Sequence, residues 1–101
     1  MIRVTLLKNA GEFTGFECKG HAGYAEAGSD IVCAAVSILT TTCVNALESV
    51  AGIEAKIQVE DGLMKAYLPE NAGHDAQVIF GFLRQGLRDL EDAYPEYLQL
   101  K

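Results

Sequence analysis

Two pairs of alternating runs, each followed by an apolar segment of helical length, predict an α+β fold: a two-layer sandwich in which an antiparallel four-stranded sheet carries two helices, in the order ββαββα. Residues 2–19 alternate with period two on either side of Asn9-Ala10-Gly11, and residues 53–69 do so around Asp61-Gly62. Strands that come in consecutive pairs, with helices between them, place the helices on one face of the sheet.

The first strand rests on Ile2, Val4 and Leu6 alternating with Arg3 and Thr5, and runs to about Lys8. Phe13 to Lys19 alternates less cleanly, with Phe16 and Cys18 on one face and Glu17 and Lys19 on the other, and reads as an antiparallel partner ending at Gly20. Residues 20–29 hold glycines at 20, 23 and 28 with alanines between, so few side chains hinder the loop and it is expected to be mobile when empty. Ser29 or Asp30 can cap a helix that continues to about Ala51 and stops at Gly52. From Ile31 to Leu39 that helix is apolar on almost every side, and Thr40, Thr41 and Thr42 follow with poor helix propensity, so packing must hold it. Cover by the sheet and by another helix or subunit is expected.

The hairpin of residues 53–69 can be registered directly. With Glu60 opposite Leu63, Val59 meets Met64, Ile57 meets Ala66 and Ala55 meets Leu68, which makes one face apolar and leaves Glu54, Lys56, Gln58, Glu60 and Lys65 on the other. A second helix follows Pro69, marked by Val78, Ile79, Phe82, Leu83, Leu87 and Leu90, with Asn71 as its cap and Pro95 beyond its end.

With 101 residues, half of them hydrophobic, the chain is expected to be a single domain over residues 1–101. A net charge of −6 is the wrong sign for gripping phosphates, so direct nucleic-acid binding is not expected and a basic or neutral partner is. The N-terminal residues lack the pattern of a signal peptide, and no run of about 18 apolar residues is free of polar interruption. A cytoplasmic protein with no membrane partner is the expectation. Three cysteines without an export signal point to reduced thiols.

The chemistry concentrates between Gly20 and Ser37, GHAGYAEAGSDIVCAAVS. His21 and Cys33 stand twelve positions apart across a loop that can fold back, and a cap at Asp30 puts Cys33 in the first helical turn, where unpaired amides and the helix dipole favour a thiolate. His21 could then pair with that thiolate and later protonate a leaving amine, while amides of the helix start bind an oxyanion. Asp30 would cap the helix and orient His21, and Ser37, one turn after Cys33, could hydrogen-bond within the site. Spacing alone equally allows Cys33 as a core residue and His21 as a polar loop residue. Cys18-x-x-His21 with Cys33 and Cys43 offers a zinc alternative, but no second paired ligand motif accompanies it, and no metal or cofactor is expected. Cys18 and Cys43 read as packing residues and His74 as an exposed polar one.

This stretch resembles the signature of the ribosomal-processing cysteine proteases, the Prp family: a Gly-His-Ala element, a short loop, then Asp-Ile-Val-Cys-Ala with a serine shortly after. The resemblance implies that Cys33 is the nucleophile and His21 the general base and acid, with Asp30, Ser37, Gly20, Ala22 and Gly28 as supporting or substrate-binding residues. It implies removal of the N-terminal extension of ribosomal large-subunit protein twenty-seven, a homodimer, and a loop over residues 20–29 that orders on the substrate. A noncatalytic ribosome-associated binding module, needing no reactive thiol, is the alternative, and a thiol redox protein is disfavoured by the lack of a Cys-x-x-Cys pair.

Overall fold

The computed structural model describes residues 1–26 and 28–101; Ala27, inside the expected loop of residues 20–29, lies outside the described residues. The elements are β1 (Ile2–Asn9), β2 (Glu12–Lys19), α1 (Ile31–Ser49), β3 (Lys56–Glu60), β4 (Leu63–Tyr67), α2 (His74–Ala93) and β5 (Leu98–Leu100). They form an α+β fold in which a five-stranded mixed sheet of order β3-β4-β2-β1-β5 carries the two helices. This corrects the expected four-stranded antiparallel sheet and the order ββαββα. β5 runs parallel to β1, pairing Ile2 with Leu98 and Val4 with Leu100. Leu98-Gln99-Leu100 gives only two apolar positions, too short an alternation to mark a strand, and the neighbouring β1 is what makes it one.

The β3–β4 hairpin has the register read from sequence: Glu60 opposite Leu63, Val59 opposite Met64 and Ile57 opposite Ala66. Ala55 and Leu68 fall outside the ladder. The apolar face continues across the sheet in rows, Val59–Met64–Cys18–Val4 and Ile57–Ala66–Phe16–Leu6. Burial fades along the first row, from Val4 at 1% exposed to Val59 at 66%, because the helical layer does not extend over β3.

The imperfect alternation of β2 has a structural cause. A bulge between Leu7 and Lys8 shifts the pairing from Leu7–Gly15 to Lys8–Phe13, so Phe13 and Phe16, three residues apart, are both buried and both pack on Phe80 of α2. The irregularity leaves the backbone of Phe13 in need of partners, and Gln77 of α2 supplies both: its Oε1 accepts from the Phe13 amide at 2.7 Å and its Nε2 donates to the Phe13 carbonyl at 2.9 Å. At Gly15 the β4 strand comes so near that a Cβ would stand 2.5 Å from the Ala66 carbonyl oxygen.

Asp30 is the cap of α1, its side chain accepting from Val32 and Cys33. The helix ends at Ser49, with Gly52 left-handed (φ 67°) as expected of a stop. By length and composition α1 could cross a bilayer; in this fold it buries a row of Val32, Val36, Thr40, Cys43 and Leu47. The buried Thr40 hydroxyl is satisfied by the Val36 carbonyl. Within one chain the cover is partial: the sheet and α2 bury one side, and Ile31 and Ile38 are exposed. The cap of α2 is Gly73 rather than Asn71, which takes φ 58° in the turn before it, and among the described residues no side chain caps this helix. The two helices approach closely at Gly86, where a Cβ would meet Leu39 Cδ2 at 2.8 Å.

Gln77→Ala should therefore lower stability by about 1–2 kcal/mol, the cost of stranding two partly buried backbone groups. Urea denaturation checks this, with a lower midpoint expected at unchanged slope.

Candidate active site

Cys33 sits in the first turn of α1 because Asp30 starts the helix three residues earlier. Asp30 also reaches backwards. Its Oδ1 accepts from Val32 and Cys33 at 3.0 and 2.9 Å, and its Oδ2 accepts from Tyr24 and Ala25 at 3.0 and 3.3 Å. One buried carboxylate thus joins the loop to the helix it precedes. These bonds, the Cys33 amide foremost and against the opposing effect of burial, hold its carboxyl below the usual carboxylate range.

The expectation that Asp30 orients His21 is corrected by this geometry, since both its oxygens are taken by backbone amides. The carboxylate beside His21 belongs to Asp61 in the hairpin turn, 3.7 Å from Nε2. Both side chains are exposed, so the pair is screened by solvent. The oxyanion expectation changes too. The amides of Val32 and Cys33 are bound to the Asp30 side chain and that of Ala34 to its carbonyl, so these three amides are already occupied.

The thiol meets the loop instead. The Ala22 amide donates to Cys33 Sγ at 3.3 Å, and Ala22 is buried. Among the described residues no hydrogen bond joins the His21 imidazole to that sulfur; the two side chains share the walls of a cleft of about 520 Å³. Gly20 and Ser37 line it with them, and an adjoining hollow brings His21, Cys33 and Ser37 together with Gly28 and Asp30. The candidate site residues of the motif therefore gather at one place, Ala22 through its amide on Cys33 Sγ.

The backbone of His21 is fixed from several sides. The Met1 nitrogen donates to its carbonyl at 2.7 Å, and the Gly20 amide donates to the Gly62 carbonyl at 2.8 Å. Gly20 has φ 94°, and a Cβ there would lie 2.5 Å from the Met1 carbonyl oxygen, so both conformation and space require glycine. Further along, the Tyr24 ring packs edge-on against Tyr94 and Tyr97, at centroid distances of 5.7 and 5.1 Å. The loop is pinned to the α2–β5 corner.

Sequence reasoning missed Asp61 and Gly62 as neighbours of His21, Tyr24 as the loop's anchor, and the apolar cleft wall of Val36, Val59 and Met64. The Asp-Gly pair was legible as a turn, but nothing local tells where a turn lands. The thiols differ in setting: burial first, with the neighbouring Cys33 adding to it, pushes Cys18 up to about 11, and burial pushes Cys43 up to about 12. Both stay protonated at neutral pH, as packing residues would.

A family model described as cysteine protease Prp matches residues 1–99. The ribosomal processing cysteine protease Prp of Bacillus subtilis (strain 168) is 30% identical, the match covering 99% of this chain and 96% of that protein. Among solved structures, SMU.848 from Streptococcus mutans superposes with a TM-score of 0.89 at 37% identity, covering all of this chain and 92% of the other. The essential ribosomal processing protease Prp from S. aureus, in complex with a covalently linked product peptide, superposes at 0.94 with 29% identity, covering all of this chain and 98% of its own. With a thiol and an imidazole on the walls of one cleft and a match along nearly its whole length, this chain belongs to the Prp family of ribosomal-processing cysteine proteases.

Proposed function

We propose that this protease cleaves by a Cys33–His21 pair. His21, mobile at its exposed imidazole, takes the thiol proton. The Cys33 thiolate attacks the peptide carbonyl, His21 returns the proton to the leaving amine, and water releases the acyl-enzyme. The Ala22 amide at Sγ is placed to stabilise the thiolate. The observation that carries this reading is the meeting of Cys33 and His21 in one cleft of peptide-sized volume. The apolar wall beside them suits an apolar side chain next to the scissile bond.

We further assign the N-terminal extension of ribosomal large-subunit protein twenty-seven as substrate and the cytoplasm as the place of action. A basic ribosomal protein complements a net charge of −6, which favours encounter more than affinity. Incubating the chain with that ribosomal protein and following its mass tests the assignment. Cys33→Ala and His21→Ala should each lose about 10³-fold or more in rate, and the double variant should be no slower than the worse single one, as expected of residues acting as a unit. Cleavage that persists in Cys33→Ala would end the proposal.

Asp30 supports this machinery by holding loop and helix together. A carboxyl whose folded pKa is depressed stabilises the folded state above its unfolded pKa, and that contribution is lost as pH falls through the folded value. Asp30→Asn should be less stable than the parent at pH 7, and the gap should close as pH drops below about 4. Denaturation at a series of pH values reads this out; a gap independent of pH would exclude the charge as its source.

The homodimer reading draws support from a face shared by the helices. Ile38, Leu39, Thr42 and Ala46 of α1 meet Val78, Ile79 and Phe82 of α2 around an apolar hollow of about 390 Å³, with Phe82 at 76% exposed. Among the described residues no charged one lines it, and a two-fold pairing of this face would bury the same patch on both copies. Phe82→Glu should convert a dimer into a soluble, folded monomer by light scattering. A wild-type chain that is monomeric at micromolar concentration would overturn the assignment.

A further inference from the structure

Beside the cleft the sheet ends on a strand whose outer edge is paired by no strand among the described residues. β3 is the outermost strand beyond β4, and all five of its residues are exposed. The two-residue turn determines which of its backbone groups are spare. With Glu60 and Leu63 closing the turn as a hydrogen-bonded pair, Gln58 and Lys56 also turn their N–H and C=O groups toward β4, while those of Ile57 and Val59 point outward. An outer strand of this kind is a template for another chain unless something blunts it. Between Lys56 and Glu60 there is no charge and no proline, only Ile57-Gln58-Val59.

This open edge is continuous with the site. Val59, Glu60 and the Asp61-Gly62 turn form one wall of the cleft that holds Cys33 and His21, and Ser37 and Thr41 of α1 form the facing wall. From Cys33 to Thr41 the helix rises about 12 Å, matching three or four residues of extended chain. The cleft is thus a trough with a helix on one side and unpaired strand groups on the other.

We propose that the peptide substrate binds as an added sixth strand on β3, its main chain hydrogen-bonded to Ile57 and Val59, so that it runs past the Asp61-Gly62 turn and presents its scissile bond to Cys33. The inference rests on the peptidase reading above and adds how the substrate is held. Main-chain pairing grips the peptide whatever its side chains, and alternate side chains turn into the trough toward Val59 and Met64 or out to solvent.

A strand bound at one edge uses the N–H groups of every second residue, and this gives the test. The probe is a synthetic peptide spanning the N-terminal extension of ribosomal large-subunit protein twenty-seven and its junction, with a series bearing a single N-methyl group at each successive amide. Binding to Cys33→Ala is read by fluorescence anisotropy, and cleavage by wild type is read by mass. Methylation should weaken binding and kcat/KM by about tenfold or more at alternate positions and leave the intervening ones near the parent. Losses without a two-residue period, uniform tolerance, or no binding of the parent peptide would overturn strand addition. Alternating losses in binding without any cleavage by wild type would count against the peptidase reading alone.

Discussion

One carboxylate organises this protein's chemistry. Asp30 accepts four backbone amides, two from the chain ahead of it and two from the helix after it. Loop and helix would otherwise be joined only by a short glycine-containing segment, and the position of the Ala22 amide against Cys33 Sγ would not follow from the position of the helix. Because the bonds are charge-assisted and the oxygens are buried, the arrangement is stronger than four neutral contacts. It consumes the same first-turn amides that a helix start would normally offer to a ligand. The thiol therefore takes its hydrogen bond from the loop, and the loop's geometry becomes part of the environment of Cys33.

Around that junction the fold separates stiffness from access. The bulge on β2 brings Phe13 and Phe16 onto Phe80, and Gln77 satisfies the backbone the bulge disrupts, so sheet and α2 are joined by packing and hydrogen bonds at once. At the other end the helical layer stops short of β3, and the apolar rows of the sheet run out into an open trough. His21 stands at the mouth of that trough with its backbone fixed at both neighbours and its imidazole in solvent. Such a side chain can change rotamer without any backbone movement.

What was legible in the sequence was what local chemistry decides. The Asp61-Gly62 turn fixed the register of Val59 with Met64 and Ile57 with Ala66, because turn type and alternation must agree. Asp30 as cap was legible for the same reason. The rest depends on contacts between distant residues. Leu98 and Leu100 become a strand only because β1 lies alongside, Asp61 stands by His21 only because β4 lies beside β2, and Tyr24 finds Tyr94 and Tyr97 across seventy residues of chain. The second carboxylate face of Asp30 was hidden likewise, since capping accounts for one oxygen and leaves the other unassigned. Family resemblance, resting on two short elements of the motif, pointed to residues 20–37, while the surfaces around them come from the fold.

α1 shows a consequence of such economy. Its circumference is divided among three tasks: Val32, Val36, Cys43 and Leu47 face the core, Cys33, Ser37 and Thr41 line the cleft, and Ile38, Leu39 and Ala46 belong to the apolar face shared with α2. α2, by contrast, keeps Asp75, Gln85, Arg88 and Asp89 in solvent, where Gln85 Nε2 donates to Asp89 Oδ1 at 2.9 Å. Apart from its exposed Asn45 and Glu48, α1 has few positions without a task, so it is where random replacement will be tolerated least and where design of a variant should begin last.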